Sequence, residues 1–190
     1  MNRTLLMIAM FCSASTFAQP PVINNADIDN SGAQYQGNLA VNQAAGDLQQ
    51  QANARAIATG RNANAVTQIR QRLRTIVDPN MDAKSSIQGN SFSHGSGALG
   101  VNQSSGAANQ QANAMSISIS AQPQSLDDSV LKQQNVALLN NSDPTDSTPG
   151  HRQVTTSDQA FTGSRGVIQL NQSAGVGNRM ANTLNVRVVD

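Results

Sequence analysis

Residues 97–119 read GALGVNQSSGAANQQANAMSISI, and similar stretches occur at two other places in the chain. The first copy, residues 37–58, reads GNLAVNQAAGDLQQQANARAIA, and the third begins at Gly166 with GVIQLNQSAGVGNRMANTLNVRV. The copies align without a gap from the opening glycine, through an Asn-Gln pair and a second glycine, to an Ala-Asn pair. A unit repeated this closely predicts stacked repeats, and a unit that stacks within a chain can also stack between chains.

Each copy has the pattern of a strand, a turn and a second strand. In the second copy, Leu99 and Val101 alternate with Gly100 and Asn102 before a predicted break at residues 104–106. A helix is the competing interpretation, because QQANARAIA and QQANAMSI contain good helix formers. The glycines, the alternation and the β-branched ends favour strands. We therefore predict an all-β fold of three stacked strand-turn-strand repeats that form a β-solenoid or cross-β core, with disordered or partly helical linkers.

The segments between the repeats differ in composition from the repeats themselves. Arg3, an apolar run and the small residues before Gln19 are typical of a secretory signal peptide. Apolar residues at helical spacing predict a short basic amphipathic helix over residues 63–77, and a second helix is possible over residues 125–139. The predicted segments are a signal peptide (1–18), a flexible leader (19–36), repeat one (37–58), a first linker with the short helix (59–96), repeat two (97–119), a partly disordered second linker (120–165) and repeat three (166–190).

Stacking the repeats as rungs about 4.8 Å apart places equivalent residues in columns. Each side-chain amide has donors and an acceptor and can bond to the same group one rung away. An unpaired buried amide costs about 1–3 kcal/mol, so Asn and Gln specify the register, while the second glycine permits the turn and the alanines suit close packing. The alternative is a polar, solvated repeat that never stacks. The predicted self-assembly residues are Asn42, Gln43, Gly46, Ala52, Asn53, Asn102, Gln103, Gly106, Asn109, Gln110, Ala112, Asn113, Asn171, Gln172, Gly175, Asn178, Ala181 and Asn182.

Composition narrows the possible partners and chemistry. Without Arg3 the chain has 11 basic and 11 acidic residues, and this balance favours self-association over nucleic acid or anionic membranes as partners. The single cysteine, Cys12, lies in the predicted signal peptide, so we expect no thiol chemistry. His94 and His151 stand far apart, without Cys or Glu nearby. We predict no metal, no cofactor, no stable membrane insertion and no enzymatic activity.

The repeated pattern Gly-x-[Leu/Ile]-x-[Val/Leu]-Asn-Gln-x-x-Gly resembles the repeats of bacterial Fap-type functional amyloid subunits. Three repeats, two linkers and a signal peptide are also similar to that family, and residues 103–112 are more distantly similar to curli repeats. The resemblance implies an extracellular fibre that supports biofilm, related subunits as partners, transit through the periplasm with a chaperone, and export through an outer-membrane pore. The chain lacks the C-terminal Cys-x-x-Cys of the major subunit, and its linkers are short. Both features favour a minor or nucleating subunit.

Two other classes of function remain open from the sequence. A periplasmic chaperone or accessory protein of amyloid assembly could use repeat-like strands to cap growing subunits. A surface adhesin could be a folded, monomeric solenoid. The leading prediction is a secreted structural subunit that polymerises by in-register stacking of its three Asn/Gln-rich repeats.

Overall fold

Nine β-strands form most of the chain that the structure describes. The computed structural model describes residues 22–73, 77, 80–121 and 150–189. The strands are β1 (Val22–Asp29), β2 (Gln36–Ala45), β3 (Gln50–Gly60), β4 (Met81–Gln88), β5 (Ser96–Ala107), β6 (Gln110–Ser120), β7 (Arg152–Thr156), β8 (Arg165–Val176) and β9 (Arg179–Val189). No helix occurs within these residues. The prediction of an all-β fold built from stacked repeats is therefore confirmed.

The strands are arranged as three rungs. We call β1–β3 rung one, β4–β6 rung two and β7–β9 rung three. Equivalent strands of successive rungs pair in parallel and form sheet I (β1-β4-β7), sheet II (β2-β5-β8) and sheet III (β3-β6-β9). The register is that of the sequence repeat, since Asn102 pairs with Asn42 on one side and with Asn171 on the other. Each repeat thus lies directly on the next.

Sheet II packs between the other two sheets, and its two faces differ in chemistry. Successive side chains of a strand point to opposite faces. Leu99 and Val101 of β5 point towards sheet I and join an apolar cluster with Ile87 and Phe92. Asn102 points the other way and bonds to residues of sheet III. The apolar core therefore lies between sheets I and II, whereas side-chain amides fill the space between sheets II and III.

Each rung contains one strand more than the sequence predicts. Sheet I is formed by residues 22–29, expected to be a flexible leader, and by strands from the two predicted linkers. The prediction of disorder is wrong for residues 152–156, which form β7. These segments are poor in large apolar residues, so their pattern gives a weak strand signal. They become strands because stacking satisfies their backbone groups and because Ile28 and Ile87 complete the apolar core.

The first linker does not form the predicted helix. Residues 61–73 run without helix or strand along the outer face of sheet III. The Ala65 amide N–H donates to Ser118 Oγ at 2.9 Å, and Gln71 Nε2 donates to the Gln111 carbonyl at 2.9 Å. Docking onto the sheet overrides the local helical spacing. The predicted signal peptide, the second predicted helix and the rest of the second linker lie outside the described residues.

The three corners of a rung differ in how much their lengths vary. The corner between sheets I and II contains six to eight residues, and the corner between sheets II and III contains two to four. The connections from one rung to the next, residues 61–80 and 121–151, are much longer and unequal. Parallel strands require such crossover connections. Most of the variation in length is therefore found at the corner where sheet III leads back to sheet I.

Two columns of glycine bring the rungs into close backbone contact. Gly106 has φ +105°, and a Cβ atom there would lie 2.1 Å from the carbonyl oxygen of Gly175. A Cβ atom on Gly97, with φ +132°, would lie 2.0 Å from the carbonyl oxygen of Gly37. Gly106 lies within β5 and not in the turn that the sequence predicts, because the turn follows at residues 108 and 109. Its role is close approach between rungs.

We predict that Gly97→Ala destabilises the folded chain far more than Gly37→Ala does. Both residues have positive φ, but the added methyl group of Gly97→Ala meets the Gly37 carbonyl, whereas that of Gly37→Ala meets no atom within 4 Å. We expect a loss of about 3 kcal/mol for Gly97→Ala and about 1 kcal/mol for Gly37→Ala. Urea unfolding of the unassembled chain, followed by circular dichroism, measures both values. Equal losses would contradict the close approach of the rungs.

Candidate functional site

A column of asparagine side chains runs through all three rungs of sheet II. Asn102 Nδ2 donates to Asn42 Oδ1, and Asn171 Nδ2 donates to Asn102 Oδ1, both at 2.9 Å. The strand register places the three residues opposite one another, and the parallel pairing aligns their side chains. The column is thus a continuous hydrogen-bonded chain of amides.

A second asparagine column on sheet III lies against the first. Asn113 Nδ2 donates to Asn53 Oδ1 at 3.0 Å, and Asn182 Nδ2 donates to Asn113 Oδ1 at 3.1 Å. Within rung two, Asn113 Nδ2 also bonds to Asn102 Oδ1 at 3.0 Å, and from rung three Asn171 Nδ2 bonds to Asn113 Oδ1 at 3.0 Å. The two columns therefore form one network that joins the sheets as well as the rungs.

A glutamine column on the other face of sheet II bonds to sheet I. Gln103 Nε2 donates to Gln43 Oε1 at 2.8 Å, and Gln172 Nε2 donates to Gln103 Oε1 at 2.9 Å. Gln103 Nε2 also contacts the carbonyl oxygens of Ala26 and Ser86 at 2.9 and 2.8 Å. The column fixes the position of sheet I as well as the register of sheet II.

The other predicted site residues form shorter columns. Gln110 Nε2 donates to Gln50 Oε1 at 2.8 Å, and Asn178 Nδ2 donates to Asn109 Oδ1 at 2.9 Å. The remaining residues are brought into register by strand pairing in two columns of small residues: Ala52, Ala112 and Ala181 on sheet III, and Gly46, Gly106 and Gly175 at the ends of the sheet II strands.

Burial differs sharply between the rungs although the sequences are similar. Asn102 and Gln103 in rung two have no exposed surface, and residues 99–113 of this rung are all buried. In rung one, Asn42 is exposed and Gln43 is half-buried. A repeat becomes fully buried only where it has a neighbouring rung on both sides.

Rung three interrupts two of the columns on sheet III. Arg179 stands opposite Gln110, and Met180 stands opposite Gln111. Gln111 Nε2 reaches Met180 Sδ at 3.9 Å in place of an amide oxygen.

In rung one, Arg55 replaces the apolar residues of its column, and its Nη2 donates to the Leu39 carbonyl at 2.6 Å. Burial lowers the pKa of Arg55 below its ordinary value, although arginine remains charged at neutral pH.

Sequence reasoning missed three features of the site. The opening glycines, Gly37, Gly97 and Gly166, form the second glycine column, and their recurrence in each repeat was the available signal. The rings of Phe92 and Phe161 stack with centroids 5.4 Å apart at the corner between sheets I and II. These phenylalanines lie outside the repeated motif. The strands of sheet I, which accept the glutamine hydrogen bonds, show no repeat in the sequence.

The described residues contain no group of three or more His, Cys, Asp or Glu side chains that could hold a metal ion. Within the same part of the chain, no helix has the length and apolar character needed to span a membrane.

We predict that Asn102→Asp destabilises the folded chain by about 3 kcal/mol or more at pH 7, whereas Asn42→Asp changes its stability by less than about 1 kcal/mol. The first variant buries a carboxylate that cannot donate to Asn42 Oδ1 or to the Ala52 carbonyl. The second variant keeps the acceptor, at an exposed position.

Burial raises the pKa of a carboxyl group above its unfolded value, which is about 4. The penalty at position 102 is therefore small below about pH 4, and it grows as the pH rises towards the raised pKa. Urea midpoints at pH 3.5 and 7 measure this difference against the wild type. A penalty independent of pH would contradict the role of Asn102 as a buried donor.

Comparison with known proteins agrees with this geometry. No solved structure matches the fold. The model of the functional amyloid protein FapB/FapC family matches residues 12–189, which include all nine strands and both long connections. The resemblance to Fap-type subunits is therefore confirmed. The chain belongs to the functional amyloid protein FapB/FapC family and is a functional amyloid subunit.

Proposed function

We propose that this chain is a secreted structural subunit of an extracellular amyloid fibre in the biofilm matrix, and that it polymerises by stacking rung three of one copy against rung one of the next. The observation that carries the proposal is the contrast in burial between rung two and its neighbours. Rung two is sealed by a rung on each side, whereas rungs one and three each have one side without a strand partner among the described residues. A second copy would continue the three sheets and the amide columns.

The open sides of rungs one and three have the properties of edges that accept further strands. Each side presents three parallel strand edges with unpaired N–H and C=O groups, which template pairing with another chain. Matched Asn and Gln side chains at both sides allow the amide columns to continue across the junction. The self-assembly role of the predicted residues follows from this continuation.

We further propose a minor or nucleating role among related subunits. The six pairs of parallel strands formed within one chain supply a preformed template, so the incoming subunit does not bear the entropy cost of ordering that template. Transit through the periplasm, a chaperone and an outer-membrane pore complete this proposal. These steps are what the resemblance to Fap-type subunits implies for a secreted chain.

The experiment that tests the proposal is assembly of residues 19–190 at neutral pH, followed with an amyloid dye and fibre diffraction. We expect fibres with reflections near 4.8 Å and about 10 Å. Asn102→Asp should fail to assemble at pH 7. Asn90→Asp, at an exposed position in the corner of rung two, is the matched control with the same charge change. A wild-type chain that stays monomeric for days would contradict the proposal.

Two further readouts separate the alternative functions. A nucleating subunit should shorten the lag of a related major subunit when added in small amounts, whereas a capping chaperone should lengthen it. A monomeric adhesin should melt cooperatively at low concentration and leave the lag unchanged.

A further inference from the structure

The two open ends of the stack differ in hydrogen-bonding character. In the columns of Asn42, Gln43, Asn53 and Gln50, each amide nitrogen of a later rung donates to the amide oxygen of the earlier rung. The side-chain amides of Gln49, Gln51, Asn109 and Gln111 instead donate to groups of the later rung. In the four columns, rung one therefore turns amide nitrogens towards its open side, whereas rung three turns amide oxygens towards its open side.

The two ends also differ in charge. Rung one carries Asp27, Asp29 and Asp47 against Arg55, a net charge of −2. Rung two carries one Asp and one Lys and is neutral. Rung three has a net charge of +3, because it carries four arginines and one aspartate. The arginines are Arg152, Arg165, Arg179 and Arg187, and the aspartate is Asp158. Residues 61–73, which lie along the outer face of sheet III, add Arg61, Arg70 and Arg72. The change from negative to positive charge along the stack is therefore found at sheet I and at the corners of the rungs.

The glycine column adds a steric difference. A Cβ atom on Gly97 would meet the Gly37 carbonyl, and a Cβ atom on Gly166 would meet the Gly97 carbonyl, each at 2.0 Å. In the column of Gly37, Gly97 and Gly166, the Cβ direction thus points from each rung to the earlier one, whereas in the column of Gly46, Gly106 and Gly175 it points to the later one. The same vector at Gly37 points into open space on the outer side of rung one. A further copy stacked in the same register would place its Gly166 carbonyl there.

From these three asymmetries we infer that copies of this chain join in one orientation only, with the acidic, N–H-presenting side of rung one against the basic, oxygen-presenting side of rung three. The inference rests on the proposed fibre function. Contact between two rung-one sides would oppose donors to donors and aspartates to aspartates. A rung-one to rung-three contact is heterologous, so it leaves a free end after each addition and produces an open filament.

Charge complementarity is effective at this junction because the rungs are close. Stacked rungs lie about 4.8 Å apart, which is less than the Debye length of about 8 Å at physiological salt. In the shared register Asp47 of the second copy would stack on Val176, beside Arg179 in the same corner. Complementary charge speeds association and disfavours the wrong orientation. Fibre growth should therefore be polar and dependent on salt.

The first test uses Gly37→Ala, because its methyl group meets no atom within the chain. The variant can dock through rung three onto an exposed rung one, but its own rung one is blocked. We expect it to form no fibres alone and, in small amounts, to stop growth at one end of wild-type seeds viewed by fluorescence microscopy. Gly177→Ala is the matched control, since Gly177 has φ +69° and the equivalent positions hold Leu48 and Ala108. Normal growth of Gly37→Ala, or arrest of both ends, would overturn the inference.

The second test uses charge reversal at three exposed positions and at the half-buried Arg179. D29K/D47K gives two basic ends, and R165D/R179D gives two acidic ends. We expect each double variant alone to elongate at least about tenfold more slowly than the wild type at roughly 10 mM salt. An equimolar mixture should recover growth, because basic and acidic ends then alternate.

The control for charge is Lys84→Asp in rung two, which should elongate like the wild type. At roughly 1 M salt the differences should shrink, because the Debye length falls to about 3 Å. Unchanged rates for both double variants, or a mixture no faster than its components, would overturn the inference of complementary ends. Wild-type fibres in such an experiment would still support the proposed function, and their absence would contradict it.

Discussion

The hydrogen bond between equivalent side-chain amides of successive rungs is the interaction on which the rest of the structure depends. Its length, 2.9 Å between Asn102 and Asn42, requires strands in parallel and in register. A shift of one residue would turn every inward side chain to the opposite face and leave buried amides without partners. Apolar burial alone would not impose this condition, because aliphatic side chains tolerate several neighbouring arrangements. The amides therefore select one register among many compact stacks.

Because of this constraint, the two interfaces between sheets have different roles. The interface between sheets I and II contains most of the large buried apolar side chains and fully buries Gln103, the central residue of the glutamine column. The interface between sheets II and III is filled by asparagines that bond to each other and to backbone carbonyls. A low local dielectric strengthens such satisfied networks and makes any unsatisfied member costly. The face of sheet II towards sheet I thus provides most of the apolar burial, and the face towards sheet III provides the asparagine bonds that specify the register.

Much of the fold follows from the sequence because the repeat is explicit. The alternation around Leu99 and the recurrence of the Asn-Gln pair predict both the strands and the columns. Sheet I could not be predicted, because β1, β4 and β7 share no motif, and they become strands only when the repeats hold them in register. The helical spacing in residues 63–77 predicts a helix that docking onto sheet III overrides. The sequence predicts a turn at Gly106. Its actual role could not be predicted, because its close contact is with Gly175 of another rung and not with its own neighbours in sequence.

The concentration of length variation at one corner separates two kinds of evolutionary change. The corners between sheets I and II and between sheets II and III differ by at most two residues from rung to rung. Insertions where sheet III leads back to sheet I leave all columns intact, as the unequal connections 61–80 and 121–151 demonstrate. Selection can therefore alter the composition and size of these connections independently of the rungs. Descendants of such a chain can diverge in what they display to their surroundings while their strands continue to recognise one another.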